Sequence, residues 1–241
     1  MKILLTGRNG QLGWALQRSL APLGELVALG HDECDLVDVP ALRACLRRVA
    51  PDVIVNAAAY TAVDKAETET DLAHKVNAIA PGVIGEEARR LDAAVVHYSS
   101  DYVFDGTQAA PYVEDDPTHP LSAYGRSKRD GELALEASGA RHLIFRSSWV
   151  VGAHGNNFAK TILRLAAERD RLGVVADQFG VPTPATLLAR ITAELLARVS
   201  GDASADFPYG LYHLVPSGRT CWHEYACLVV AQALRAGRTL K

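Results

Sequence analysis

The sequence predicts an α/β fold, a Rossmann-type doubly wound parallel sheet with a smaller C-terminal substrate-binding lobe, and three observations predict it. Short β-rich apolar runs alternate with longer amphipathic stretches along the chain. Those runs are apolar almost throughout rather than at every second residue, as in strands covered on both faces. The first run also leads directly into a glycine-spaced turn, Thr6–Gly13 (TGRNGQLG), that opens a helical pattern.

Strands are expected over Lys2–Thr6, Leu26–Leu29, Val53–Asn56, Ala94–Ser99 and Leu143–Arg146. Helical periodicity is expected over Leu12–Ala21, Pro40–Val49, Thr70–Leu91 and Ala123–Ala137, with a further helix over Trp222–Ala236. The segment Asp105–Ser122, with Pro111, Pro117 and Pro120 and four acidic residues, reads as a long functional connection. Within it, Glu114, Asp115 and Asp116 are expected to be solvated. The division expected is a dinucleotide-binding domain over 1–150 and a substrate lobe over 151–241 with interleaved Rossmann elements.

Composition limits the function classes. The chain has 241 residues, 49% of them hydrophobic and 22% charged, with a net charge of −3. That charge carries no footprint of nucleic-acid or anionic-membrane binding. MKILLTGRNG is broken by Gly7 before any signal-peptide core could form, and no stretch reaches membrane-spanning length. Cys34, Cys45, Cys221 and Cys227 have no C-x-x-C spacing, so a reduced, cytoplasmic protein is expected. The eight histidines form no H-x-x-x-H pair, and no metal site is inferred. His97, in an apolar strand, reads as a satisfied core histidine, and Trp14 and Trp222 as core or lobe-packing residues.

Gly7, Gly10 and Gly13 form G-x-x-G-x-x-G between a strand and a helix. Glycines there let the backbone approach a pyrophosphate, whose charge the helix N-terminus favours. The ribose preference stays open. Asp32, Glu33, Asp35 and Asp38 near the second strand suit an unphosphorylated ribose, while Arg8 in the glycine loop suits a 2′-phosphate. Polar clusters follow three other strands: Ala59-Tyr60-Thr61 after the third, Ser100-Asp101-Tyr102 after the fourth, and Ser147-Ser148-Trp149 after the fifth. Strand carboxyl ends are where open α/β sheets bind ligands, so together these residues point to a cleft.

Tyr124 and Lys128 stand one helical turn apart in YGRSK. Together with the glycine turn and the serine after the fourth strand, they resemble the extended short-chain dehydrogenase/reductase family. The stretches VNAAAYTAVDKAE, HYSSDYVFDG, FRSSWV, GNNFAKTILRLA, DQFGVPT and GLYHLVPSGRTCWHEYA narrow the resemblance to the dTDP-4-dehydrorhamnose reductases, over essentially the whole chain. The resemblance implies reduction of the 4-keto group of dTDP-4-dehydro-L-rhamnose with NADPH or NADH. It implies Tyr124 as the general acid, Lys128 as the group that lowers the tyrosine's pKa and holds the nicotinamide ribose, and Ser100 as a hydrogen-bond donor to the carbonyl oxygen. By the same carry-over, Gly10, Gln11 and Leu12 line the pyrophosphate, and Asp35 and Leu36 lie near the adenosine. Ala59, Tyr60, Thr61 and Tyr98 flank the cofactor, while Asp101 and Trp149 contact the sugar nucleotide.

Members of the family continue past the position of Lys241 with a Pro-Arg-Arg-Pro-like stretch in the substrate lobe. The sugar-nucleotide pocket is therefore expected to stand open on one side. The partner implied is a dTDP-sugar, with no nucleic acid and no membrane, and a homodimer is left open. Two other readings share the scaffold: a nucleotide-sugar epimerase or dehydratase, and a non-catalytic module like the regulatory beta subunit of methionine adenosyltransferase.

Overall fold

The computed structural model describes residues 1–201 and 207–241. Five strands lie where the apolar runs place them: β1 (Lys2–Thr6), β2 (Glu25–Leu29), β3 (Val53–Asn56), β4 (Ala94–Ser100) and β5 (Arg141–Ser147). They pair in parallel in the order β2-β1-β3-β4-β5. The expectation lacks a sixth strand, Gly210–His213, which adds in parallel to β5. It is four residues long and begins with glycine, so it carries little β signal of its own.

Helix α1 (Gln11–Leu20) follows β1, and α2 (Val39–Val49) follows β2. The Thr70–Leu91 stretch is not one regular helix. After a short α3 (Val63–Ala66), α4 (Thr70–His74) passes through a π turn over Lys75–Ile79 into α5 (Ala80–Arg90). Pro81 supplies a reason. It has no N–H to give the carbonyl of Asn77 four residues earlier, so the ladder is interrupted there. Helix α6 (Ala123–Ala137) takes up the freed space. A Cβ at Gly131 would stand 1.9 Å from that same Asn77 oxygen, so only glycine lets the two helices approach.

The C-terminal part adds a strand to the sheet, packs a helix on one of its faces and forms further short strands and helices. In chain order it contains β6 (Val150–Val151), α7 (Phe158–Glu168), β7 (Phe179–Gly180), β8 (Thr183–Pro184) and α8 (Ala185–Gly201). The sixth sheet strand is β9, followed by β10 (Thr220–Cys221) and α9 (Trp222–Arg235). Ala185, Leu188, Ala189 and Leu196 of α8 pack with Leu12 and Leu16 of α1 over Ile3, Leu5, Val55 and Val96. The opposite face buries Leu42 and Leu46 of α2, Ile84 of α5 and Leu135 of α6 against Leu4, Ile54 and Ile144. A buried Leu or Ile stabilises by roughly 1.5–3 kcal/mol, so burial on both faces fixes the sheet that carries the site.

Candidate active site

The strand order reverses direction between β1 and β3, and the glycine loop sits at that switch point. Its three glycines answer to different demands. Gly7 has φ +75°, and a Cβ on it would lie 2.6 Å from the Ala58 backbone nitrogen. A Cβ on Gly13 would meet the Gly7 carbonyl at 2.0 Å. Those two are required by the protein's own packing. At Gly10 the nearest atom would stand at 3.4 Å, ordinary contact, and the residue is exposed. Gly10 caps α1 with no side-chain hydrogen bond, and no acidic residue occupies the first turn. The helix start therefore presents N–H groups and positive potential to whatever approaches Gly10, which fits a pyrophosphate.

Arg8 and Glu33, which argue for different riboses, are paired with each other. Arg8 donates to Glu33 at 3.0 Å and to the Ala28 carbonyl at 3.1 Å, and Glu33 takes the Gly30 N–H at 2.8 Å. A 2′-phosphate would compete with Glu33 for the guanidinium. Asp35 lies nearby, accepting from the Val37 N–H at 2.9 Å, with its carboxylate partly exposed. Two residues expected near the cofactor have side chains engaged within the protein. Leu36 turns into the core beneath α2, being 5% exposed, and leaves only backbone toward an adenosine. Tyr98 points away from the cleft edge, its hydroxyl bonded to Thr192 at 2.7 Å and its ring against Phe145. Gln11 keeps its backbone at the helix start, but its side chain bridges to the Val150 carbonyl and Asn157.

Ala59, Tyr60 and Thr61 follow β3 in a loop held from below. Tyr60 N–H donates to Asn77 Oδ1 and Asn77 Nδ2 donates to the Tyr60 carbonyl, both at 2.9 Å. The same amide reaches Ser127 of α6 at 3.0 Å. Asn77 was not singled out from the sequence. The signal available for it was the proline four residues later.

Ser100, Tyr124 and Lys128 come together where β4 ends and α6 begins. Ser122 caps α6 by accepting from the Gly125 N–H, which fixes the turn carrying Tyr124. The Ser100 hydroxyl lies within hydrogen-bonding reach of the Tyr124 phenol. It donates to Asp101 Oδ1 at 3.0 Å and accepts from the Tyr102 N–H at 3.2 Å. Lys128 is 1% exposed, and its ammonium donates to the Tyr98 carbonyl at 2.7 Å.

The protonation states differ from the expectation that Lys128 lowers the tyrosine's pKa. Burial pushes Tyr124 up to about 12, Ser100 opposing it and Asp101 adding to it. Burial pushes Lys128 down to about 8, with Glu132 opposing. Here the lysine's hydrogen bond goes to a carbonyl and burial dominates at the phenol, so Tyr124 keeps its proton at neutral pH until an alkoxide forms to take it. A proton donor needs that state. Asp101 is likewise pushed up to about 6 by burial, against hydrogen bonds from Ser100 and nearby backbone.

Trp149 stands at the end of β5 with φ +44°, a left-handed conformation unusual for a bulky residue. Its ring stacks on Trp222 of α9, centroids 3.6 Å apart, and the Gly180 backbone lies against its indole. With Phe158, Tyr225 and Asn157 these residues line a small cavity of about 80 Å³. Trp222 thus packs the lobe, as expected. Trp14 also packs between parts of the molecule, stacked on His154 at 5.3 Å and partly exposed.

Residues 1–241 match the family described as RmlD substrate binding domain. The dTDP-4-dehydrorhamnose reductase of Shigella flexneri is 52% identical over all of this chain and 81% of its own length. The chain belongs to the dTDP-4-dehydrorhamnose reductase family. The structure of the Clostridium acetobutylicum member superposes with a TM-score of 0.90 at 37% identity, covering 100% of this chain and 82% of that one. The Bacillus anthracis member, solved in complex with NADP, gives 0.88 at 35%, covering 97% and 82%.

Three further features of this family member depart from, or were absent from, the sequence reading. His97 is a core histidine but only half satisfied: Nδ1 meets Asn56 at 3.1 Å, while Nε2 is buried with no partner. Glu114 is bonded as well as solvated, accepting from the His213 N–H at 2.7 Å. Arg146 and Glu132 form a buried pair behind Lys128 (2.9 and 2.8 Å) that no sequence motif indicated. Among the described residues no group of three His, Cys, Asp or Glu side chains could hold a metal, and no helix could cross a membrane.

Proposed function

We propose that this chain reduces the 4-keto group of dTDP-4-dehydro-L-rhamnose to give dTDP-L-rhamnose, using NADPH or NADH. Family membership over the whole chain supports the reaction. The observation that carries the mechanism is the meeting of Ser100, Tyr124 and Lys128 at one strand end beside an uncapped glycine-loop helix. Gly10, the start of α1 and the 59–61 loop would hold the dinucleotide, with Lys128 on its nicotinamide ribose. When bound, the reduced nicotinamide supplies the hydride.

The protein's own part is orientation and proton transfer. Ser100 holds the substrate's carbonyl oxygen near the Tyr124 phenol. As the carbonyl becomes an alkoxide, Tyr124 gives it a proton, since an alkoxide is far more basic than a phenolate. A charged Lys128 one turn away stabilises the phenolate that forms. Asp101 and Trp149 would contact the sugar nucleotide, with residues 1–150 acting as the cofactor domain and 151–241 as the substrate lobe. The reading includes a cytoplasmic setting and a dTDP-sugar partner, with dimerisation left open. Oxidation of NADPH and NADH, followed by absorbance with the keto-sugar nucleotide present and absent, tests it. Substrate-dependent oxidation is expected. A tightly retained NAD that is never consumed would favour an epimerase instead.

A further inference from the structure

Lys128 is a buried cation, and a buried cation needs a counter-charge. Its hydrogen bond goes to a neutral carbonyl, so the charge is balanced elsewhere. Glu132 stands one turn further along α6, the spacing that brings two side chains onto one helical face. Its side chain is fully buried. Arg146 of β5, itself only 4% exposed, grips both carboxylate oxygens at 2.9 and 2.8 Å. Arg129 adds a third bond at 2.8 Å.

This fork is geometrically stiff. Arg146 also lies over the Phe104 ring, 5.0 Å from its centroid, and its remaining arm points to the Glu114 carbonyl. The carboxylate is therefore held in one place behind the lysine rather than sweeping through rotamers. An Arg–carboxylate pair of this kind fixes orientation as well as charge.

We propose that Glu132, clamped by Arg146, is a positioning residue for the reaction: it is the counter-charge that keeps Lys128 an ammonium through the range in which the enzyme works. This rests on the reading of Lys128 as the partner of the proton donor. The groups around the lysine leave Glu132 that task. From β4, His97 is buried and held neutral, its pKa well below the ordinary value through burial and then Lys128 itself. Beyond β4, Asp101 and Tyr102 associate with Ser100 and Tyr124. From the π turn comes the neutral Asn77, and His74 pairs with Asp130 at the surface. On α6, Tyr124 is protonated and Arg129 is cationic, and from β5 Arg146 is cationic. Burial drives Lys128 downward and Glu132 drives it upward.

The test reads the lysine directly, without turnover. Protein carrying carbon-13 lysine is titrated by NMR from about pH 5 up to the ordinary lysine range, with Lys128 assigned by the signal lost in Lys128→Met. The wild-type midpoint is expected near the lowered value of about 8. In Glu132→Gln it should fall by about one pH unit or more, the size of effect an adjacent opposite charge produces. Glu132→Asp, which keeps the charge, should restore most of the shift. Should Glu132→Gln fail to fold with Arg146 left unpaired, the double variant Glu132→Gln with Arg146→Met removes both buried charges, and its lysine midpoint should fall too. A folded single or double variant titrating like wild type would overturn the proposal. A falling midpoint in an enzyme that shows no keto-sugar reduction would sustain it while defeating the functional reading.

Discussion

Glu87 and Glu132 are both buried glutamates gripped by arginines, yet their surroundings differ. Glu87 sits on α5, 1% exposed, and takes bonds from Arg43 (2.7 Å) and Arg47 (2.7 and 2.6 Å) of α2. Those arginines reach water, with side chains 30% and 50% exposed. Glu132 binds Arg146, which is itself buried, as well as the more exposed Arg129, and Lys128 stands one turn away. The difference teaches that burial of the partner, more than the pair itself, decides what a salt bridge does. Where the cation is wet, the carboxylate staples two helices and its charge is screened. Where the cation is dry, losing either partner strands a charge in the core, and the field reaches the neighbouring site.

The sharpest way to separate the two regions is through chemistry. Tyr124→Phe keeps the ring packing against Tyr102 but removes the proton, so turnover should drop by ~10²–10⁴-fold with the melting temperature and cofactor affinity nearly unchanged. Steady-state kinetics beside a thermal melt would show it, and near-wild-type turnover would remove Tyr124 from the role. The pH profile belongs to the same region. Lys128, lowered to about 8, is an ammonium below that pH and neutral above it. Activity that depends on the ammonium should therefore fall as pH rises through about 8, an effect visible in kcat/KM.

Stability comes next. Glu132→Gln leaves Arg146 buried and unpaired, which should cost ~3–5 kcal/mol in denaturant unfolding. Glu87→Gln leaves arginines that simply return to water, so a smaller loss of ~1–2 kcal/mol is expected. Equal losses would show that partner exposure does not matter here. Acid sharpens the contrast. Hydrogen bonds from Arg47, against burial and with help from Arg43, hold Glu87 down to about 2. Its contribution is present above the ordinary carboxylate range and is lost as pH falls from there through about 2. The Glu87→Gln variant should accordingly lose less stability than wild type over that interval.

The smallest expected effect is on folding at Gly10. Its Cβ position meets nothing closer than 3.4 Å, so Gly10→Ala should change stability by no more than about 0.5 kcal/mol while weakening NADPH binding in a fluorescence titration. Unchanged affinity would mean that the loop does not approach a phosphate closely.

By itself the sequence determined five strands of the sheet, the glycine turn and the Tyr124–Lys128 spacing, because those depend on local properties. Apolar runs announce buried strands, a helix repeat stacks residues four apart, and glycine spacing marks a tight turn. It could not announce β9, whose partner strand β5 lies far away in the chain, and Pro81 alone signalled the break in the 70–91 helix, which Gly131 on α6 helps to accommodate. Tertiary structure alone decided which way Leu36 and Tyr98 face, that Arg8 and Glu33 satisfy each other, and that Trp149 stacks on Trp222. It also decided the ionisation of the site. A pKa is set by desolvation and by charges gathered from separate elements, so Lys128 and Tyr124 acquire their protonation states only when β4, β5 and α6 close around them.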